Sequence, residues 1–127
     1  MSLKALLTRI LEALSVDYIV EEGTDGIWTY IKRKSGIAEC WGIKSGTANH
    51  TRTWAGLSIC EAINVSFPTD LFIATPATTI TNIGANSAVT FNGGATTQYQ
   101  VPFQLGRGAN ANNIAYAVSI IAKGRWK

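Results

Sequence analysis

Few residues in this chain are of the types that make or break bonds, and they are scattered. His50 is the single histidine. With Ser45 or Ser58 and with Asp70 it supplies the residue types of a hydrolytic triad, in which a hydroxyl attacks, an imidazole takes the proton and a carboxylate orients the ring. Neither serine has the local context of a nucleophile elbow. Glu39 and Glu61 are the carboxylates a glycoside hydrolase would need, one kept protonated and one ionised at a set separation. Nothing in the sequence sets that separation. One histidine and two dispersed cysteines, Cys40 and Cys60, do not make a metal-ligand set. Both thiols lie in apolar segments and read as buried and free. The expectation is no enzyme, no metal and no cofactor, with His50 on the surface or in a loop.

Binding chemistry has more to work with. A pyranose ring presents C–H groups to an aromatic face and hydroxyls to amide and guanidinium groups. Two loops carry that mixture. One holds Asn49, His50, Arg52 and Trp54, beside Thr47 and Thr51. The other holds Arg107, Asn110, Asn112 and Asn113. These eight are the candidate ligand-binding residues, and Trp54 is the aromatic expected to be exposed. The second loop also reads as a plain turn in which Asn and Gly take left-handed conformations. Trp28, Tyr30 and Trp41 lie in strand-like runs, where core packing is the expected role.

The stretch that must position these loops is residues 26–43. Two runs rich in β-branched and aromatic residues flank a polar break, Arg33-Lys34-Ser35-Gly36, which predicts a β-hairpin. In the second run Ile37, Glu39, Trp41 and Ile43 share one face and Ala38, Cys40 and Gly42 the other. This stretch, with Gly26, Trp28, Tyr30, Lys32, Gly36, Ala38, Trp41 and Gly42, resembles a hairpin near the C-terminus of phage and prophage tail proteins. The end of the chain, Gly124-Arg125-Trp126-Lys127, also looks like the terminus of such proteins.

Residues 3–14 read as an amphipathic helix. Leu3, Leu6, Leu7, Ile10, Leu11 and Leu14 recur at three- and four-residue spacing. About three turns cannot hold a helix alone in water, so this one needs a partner surface: its own domain, or identical helices through Leu3, Leu6, Leu7, Ile10 and Leu14. Beyond the hairpin, Lys44–Asn49 reads as a turn. Strands are expected over Leu57–Val65, Leu71–Thr75, Thr78–Ile83, Ala88–Phe91, Gln98–Gln104 and Ile114–Ala122, the last central and buried on both faces. Short strands at this spacing predict a mainly β fold, a jelly-roll-like β-sandwich preceded by a short α-helix. The division expected is 1–25, helix and linker, and 26–127, the sandwich.

Charge narrows the partners. The net charge is +3, and five of the eight acidic residues lie in the first 25 positions. From Leu71 to Ala122 the only charge is Arg107. A broad phosphate-binding footprint is missing, so no nucleic-acid partner is expected, and Lys32-Arg33-Lys34 reads as a solvated turn. No apolar run approaches the roughly 18 residues of a membrane span. A neutral surface rich in Thr, Asn and Gln is either solvated by hydroxyls and amides or covered by other copies.

The tail-protein resemblance implies a homotrimeric fibre head, made in the bacterial cytoplasm and carried in the virion tail with other tail proteins. It implies binding to the host surface, with a cell-wall saccharide as ligand. Two alternatives stand beside it. One is a purely structural trimerisation or tail-assembly domain, the other a polysaccharide-degrading tail enzyme. A monomeric carbohydrate-binding module would require the helix to pack on its own sandwich.

Overall fold

The computed structural model describes residues 1–14, 16–85 and 89–127 of the chain. Among them one helix and ten strands follow in order: α1 (Leu3–Ala13), β1 (Ile19–Asp25), β2 (Trp28–Arg33), β3 (Ile37–His50), β4 (Arg52–Trp54), β5 (Leu57–Ile59), β6 (Ile63–Ser66), β7 (Ala77–Asn82), β8 (Val89–Asn92), β9 (Gln100–Arg107) and β10 (Ala111–Arg125). The expected strand at Ala88–Phe91 matches β8 from Val89 on; Ala88 lies outside the described residues.

Left-handed residues set the hairpins. β1 turns into β2 through Gly26-Ile27, with Gly26 at φ +60. β2 turns into β3 through Lys34-Ser35-Gly36, where Gly36 sits at φ +99 and its N–H donates to the Arg33 carbonyl at 3.0 Å. β4 turns into β5 through Ala55-Gly56, both at positive φ (50° and 80°), as a two-residue turn matched to strand twist requires.

The strands form two antiparallel sheets. The first runs β1-β2-β3-β10-β7, and the second β4-β5-β9-β6 with β8 also on β9. β6 and β8 both pair with Phe103, so they lie on opposite edges of β9. β5 and β6 share one edge, and their register on β9 slips by one residue across Cys60–Ala62. The apolar run Leu57–Val65 is thus a strand path interrupted by a bulge. β1 belongs to the first sheet, so the expected boundary at residue 25 falls between two paired strands.

The first sheet is built on one long ladder. β3 and β10 pair from Ile37 opposite Arg125 to His50 opposite Ala111, roughly 40 Å at the rise of a strand. The turn expected at Lys44–Asn49 is not there. Those small and hydroxyl residues look like a loop, but the Ile114–Val118 segment of β10 satisfies their backbone one residue after another. β10 is central, between β3 and β7, yet only one of its faces is buried. Val118, Ile120 and Ala122 are fully enclosed, whereas Ile121 is 53% exposed. Leu71–Thr75 is irregular rather than a strand. Leu71 and Phe72 fill the core, and Asp70 at φ 56 and Pro76 bound the segment.

The core lies between the sheets. Phe67, Phe72, Val101, Phe103 and Leu105 come from the second sheet and its loops. They meet Ala38 and Cys40 of β3, Val118, Ile120 and Ala122 of β10, and Trp28 of β2. With Trp28 and Ile120 already filling neighbouring positions, the β3 residues that face the second sheet are small. This reverses one expectation: Ala38 and Cys40 point inward, and Trp41 points outward, 41% exposed. Trp28 is buried as expected, and Tyr30 packs at the core's margin. Cys40 and Cys60 are buried free thiols, and burial pushes the Cys40 thiol up to about 12. The Trp28 indole N–H donates to the Ser66 carbonyl at 2.7 Å, tying the first sheet to the second.

The basic turn is a junction, not a solvated tip. Lys32 pairs with Glu21 at 3.2 Å and Lys34 with Glu12 at 3.5 Å. Asp17 accepts from the Ser35 N–H and from its hydroxyl, both at 2.8 Å. These bonds, the backbone one first, hold the Asp17 carboxyl below its ordinary range. The Trp126 indole donates to the Arg33 carbonyl at 2.8 Å, and Arg125 donates to the Ser35 carbonyl at 3.1 Å. The hairpin and the C-terminal residues that carry the tail-protein resemblance are therefore in direct contact. Helix α1 is capped by Ser2, whose hydroxyl accepts from the Ala5 N–H. None of its residues is buried.

Trp28→Phe keeps most of the packing but leaves the Ser66 carbonyl unpaired. We expect a loss of about 1–3 kcal/mol in urea unfolding. A change within error would mean that the two sheets do not depend on this bond.

Candidate functional site

The β3–β10 ladder gives the molecule two ends. The α1 linker, the β2–β3 turn and Trp126 share one. The other is formed by the end of β3, the β4–β5 hairpin, the end of β9 and the start of β10. All eight candidate residues fall at that second end: Asn49 and His50 on β3, Arg52 and Trp54 on β4, Arg107 on β9, Asn110 in the loop, Asn112 and Asn113 on β10. They do not form one cluster.

Arg52 and Trp54 face outward on the second sheet. Trp54 is 57% exposed, as expected, and stacks on Phe91 at 5.3 Å between ring centroids and 20° between planes. Phe91 was not among the candidates. Its only sequence signal is an aromatic just ahead of the Asn92-Gly93-Gly94 turn. A cleft of about 360 Å³ opens beside the stack, lined by Arg52, Trp54, Ile59, Phe91, Asn92, Gly93, Gly94 and Gln104. Gly106 forms part of its surroundings. A Cβ there would meet Leu57 Cδ1 at 3.2 Å and Phe91 Cε1 at 3.4 Å. Arg52 donates to Glu61 at 2.9 Å. Gln104 donates to the Cys60 carbonyl at 3.0 Å, which fixes its amide. The cleft thus joins an apolar stacking surface to two amides and a guanidinium that is itself paired with the Glu61 carboxylate.

The asparagines are partly spent on the fold. Asn49 Oδ1 accepts from the Asn113 N–H at 2.8 Å, where the β3–β10 register shifts and Asn113 sits at φ 53. The Ser58 hydroxyl and Asn110 Oδ1 pair at 2.6 Å. Asn110 and Asn112 are exposed, and Arg107 is half-buried. The binding and turn readings of this loop therefore fall on the same residues.

His50 is a correction. It is fully buried, not in a loop, because β3 runs to its position and β10 covers it. Neither ring nitrogen has a hydrogen-bond partner among the described residues. A ring so placed cannot touch a ligand. Burial first, and the Arg107 charge second, lower its pKa, with only the Ala48 carbonyl pulling upward. The catalytic arrangements are not assembled either. His50 makes no bond to a serine, and the Ser58 hydroxyl is held by Asn110. Glu39 pairs with Lys123 on the first sheet and Glu61 with Arg52 beside the second.

No family model and no curated protein matches the chain. Solved structures do. The fold is similar to that of R1-type pyocin tail fibres. An N-truncated R1-type pyocin tail fibre matches with a TM-score of 0.59 at 12% identity, over 92% of this chain and 94% of that one. A fragment of the P. aeruginosa R1 pyocin fibre comprising C-terminal residues 323–701 matches with a TM-score of 0.59 at 11% identity, over 90% of this chain and 30% of that one. The shared property is the fold, so the site residues stand on their own geometry.

The His50 environment sets a pH dependence. Its folded pKa lies below the ordinary 6.5, so the unfolded chain takes the proton more readily. Stability is full above the unfolded value and falls as pH drops through it, until the folded ring also protonates. Unfolding measured from about pH 7.5 to about 5 should lose at most about 1.4 kcal/mol per pH unit from this group. His50→Leu should flatten that loss. Equal slopes in the two proteins would remove His50 as its cause.

Proposed function

We propose that this chain is the head of a phage or prophage tail fibre that binds the bacterial surface, through a cell-wall saccharide, as a homotrimer. The observation that carries the reading is polarity. The helix with the unpartnered apolar stripe leaves from one end, and the exposed Trp54–Phe91 stack with its polar cleft stands at the other. A fibre head needs that separation, assembly towards the virion and recognition away from it. The likeness to pyocin tail fibres supports the same placement in a tail, among other tail proteins. Trp54 offers a ring face, and Arg52, Glu61, Asn92 and Gln104 offer donors and acceptors for hydroxyls. Each head binds weakly, and three heads on a fibre and several fibres on a particle raise the avidity.

A panel of host wall polymers probed with the intact oligomer tests the reading. We expect binding that Trp54→Ala reduces about tenfold or more, as loss of an aromatic anchor does, with the circular dichroism unchanged. Asn112→Ala should weaken it less. Binding to no wall polymer, or binding indifferent to Trp54, would favour a second reading, a structural trimerisation or tail-assembly domain without receptor contact. That reading draws on the exposed Leu3, Leu6, Leu7 and Ile10 of α1 and Leu14 at its C-cap. Release of reducing ends from a wall polymer would favour the degrading enzyme instead.

A further inference from the structure

The outward face of the first sheet is hard to explain in an isolated chain. Antiparallel sheets that face water normally alternate apolar residues inward and polar ones outward. Here the outward positions of the two central strands include Trp41, Ile43 and Ile121, which are 41%, 55% and 53% exposed. They are neighbours. Trp41 lies opposite Ile121, and Ile43 opposite Ser119, with Thr79 and Thr81 of β7 continuing the two rows. Ionised side chains at the outward positions of β3 and β10 are Glu39 and Lys123, which pair with each other at 3.6 Å, and Arg125 at the strand end beside the β2–β3 turn, which donates to the Ser35 and Lys127 carbonyls.

We infer that this face is where copies of the chain pack against one another in the trimer; the inference rests on the trimeric reading above and names its surface. Charge selects the occupant. Along the Trp41–Ile121–Thr79 and Ile43–Ser119–Thr81 rows a charged partner finds no counter-charge, whereas a second copy brings none there that repels. Area points the same way. Four strands by about eight residues cover on the order of 500 Å² per copy at ordinary strand spacings. A stable pair buries about 800 Å² on each partner, so the face supplies a large part and needs one further contribution. The α1 stripe is that contribution. Leu3, Leu6, Leu7 and Ile10, with Leu14 at the C-cap, are 47–82% exposed, and eleven residues do not stay helical unaided in water. Both surfaces are buried in one assembly only if the copies run parallel about an axis along β3 and β10. An antiparallel pair through the sheet would leave α1 bare at both ends. In the parallel assembly the Trp54 cleft, on the second sheet, stays outside.

Light scattering on the full chain and on Ile121→Glu tests this. The wild type is expected to be trimeric. The variant should dissociate at concentrations raised about thirtyfold or more, the effect of losing a central interface residue, with its far-ultraviolet dichroism kept. A trimeric Ile121→Glu and a trimeric Trp41→Lys would overturn the face and leave the trimer standing. A monomeric wild type would overturn the trimer itself, and the face with it. Hydroxyl-radical labelling of the wild type decides the matter without a variant. Trp41 should be protected in the assembled protein and Trp54 labelled; labelling of Trp41 at the rate of Trp54 overturns the inference.

Discussion

The β3–β10 ladder is the constraint from which the rest of the structure follows. Its pairing is continuous from Ile37–Arg125 to beyond Ala48–Ile114, with the one shift at Ala111–Ile114. Side chains alternate with period two, so a slip of one residue would exchange the inner and outer sets along the whole length. The ladder therefore decides at once which residues make the core and which face outward. It also decides distance. Because both strands are long, whatever is tied to the β2–β3 turn is far from whatever is tied to the end of β9.

The core explains the outer face. The second sheet and its loops bring Phe67, Phe72, Phe103, Leu71 and Leu105. With the Trp28 indole and Ile120 already filling their positions, ordinary packing density leaves room on β3 for Ala38 and Cys40 and not for a second indole. Gly42 goes further, since a Cβ there would stand 2.5 Å from the Ile27 carbonyl oxygen. The larger members of the alternating set, Trp41 and Ile43, are left outside by volume, not by polarity. An apolar outward face is the consequence, and in water it is a cost that the inferred packing of copies would remove.

This also shows what was legible in the sequence. The hairpin at 26–43, its glycine turn and the alternation of its two faces were readable, because β-branched and aromatic residues and Gly36 act locally. The choice of inner face was not, because it depends on phenylalanines as far away as Phe103. Lys44–Asn49 looked like a turn since its composition is that of turns; its strand state comes from a partner some seventy residues later in the chain. His50 looked exposed for the same reason. Trp54 was readable as exposed from its polar neighbours. Phe91 was not readable as its partner, because stacking across β4 and β8 leaves no spacing in the sequence.

The distribution of charge fits this division of the molecule. Glu12, Asp17 and Glu21 meet the basic β2–β3 turn at the α1 end, where hydrogen bonds and ion pairs lock the linker to the sheet. Surface pairs of this kind contribute little each, but together with the Trp126 and Arg125 bonds they fix how the helix and the C-terminus meet the turn. The opposite end carries Arg52 paired to Glu61, and Arg107. With so little net charge there, long-range attraction contributes little to encounter. In the proposed reading, recognition at that end comes from contact: an exposed indole stacked on Phe91 and amides held by their own bonds. In that reading the stack and the bonded amides are already in place, which lowers the ordering cost that binding would carry.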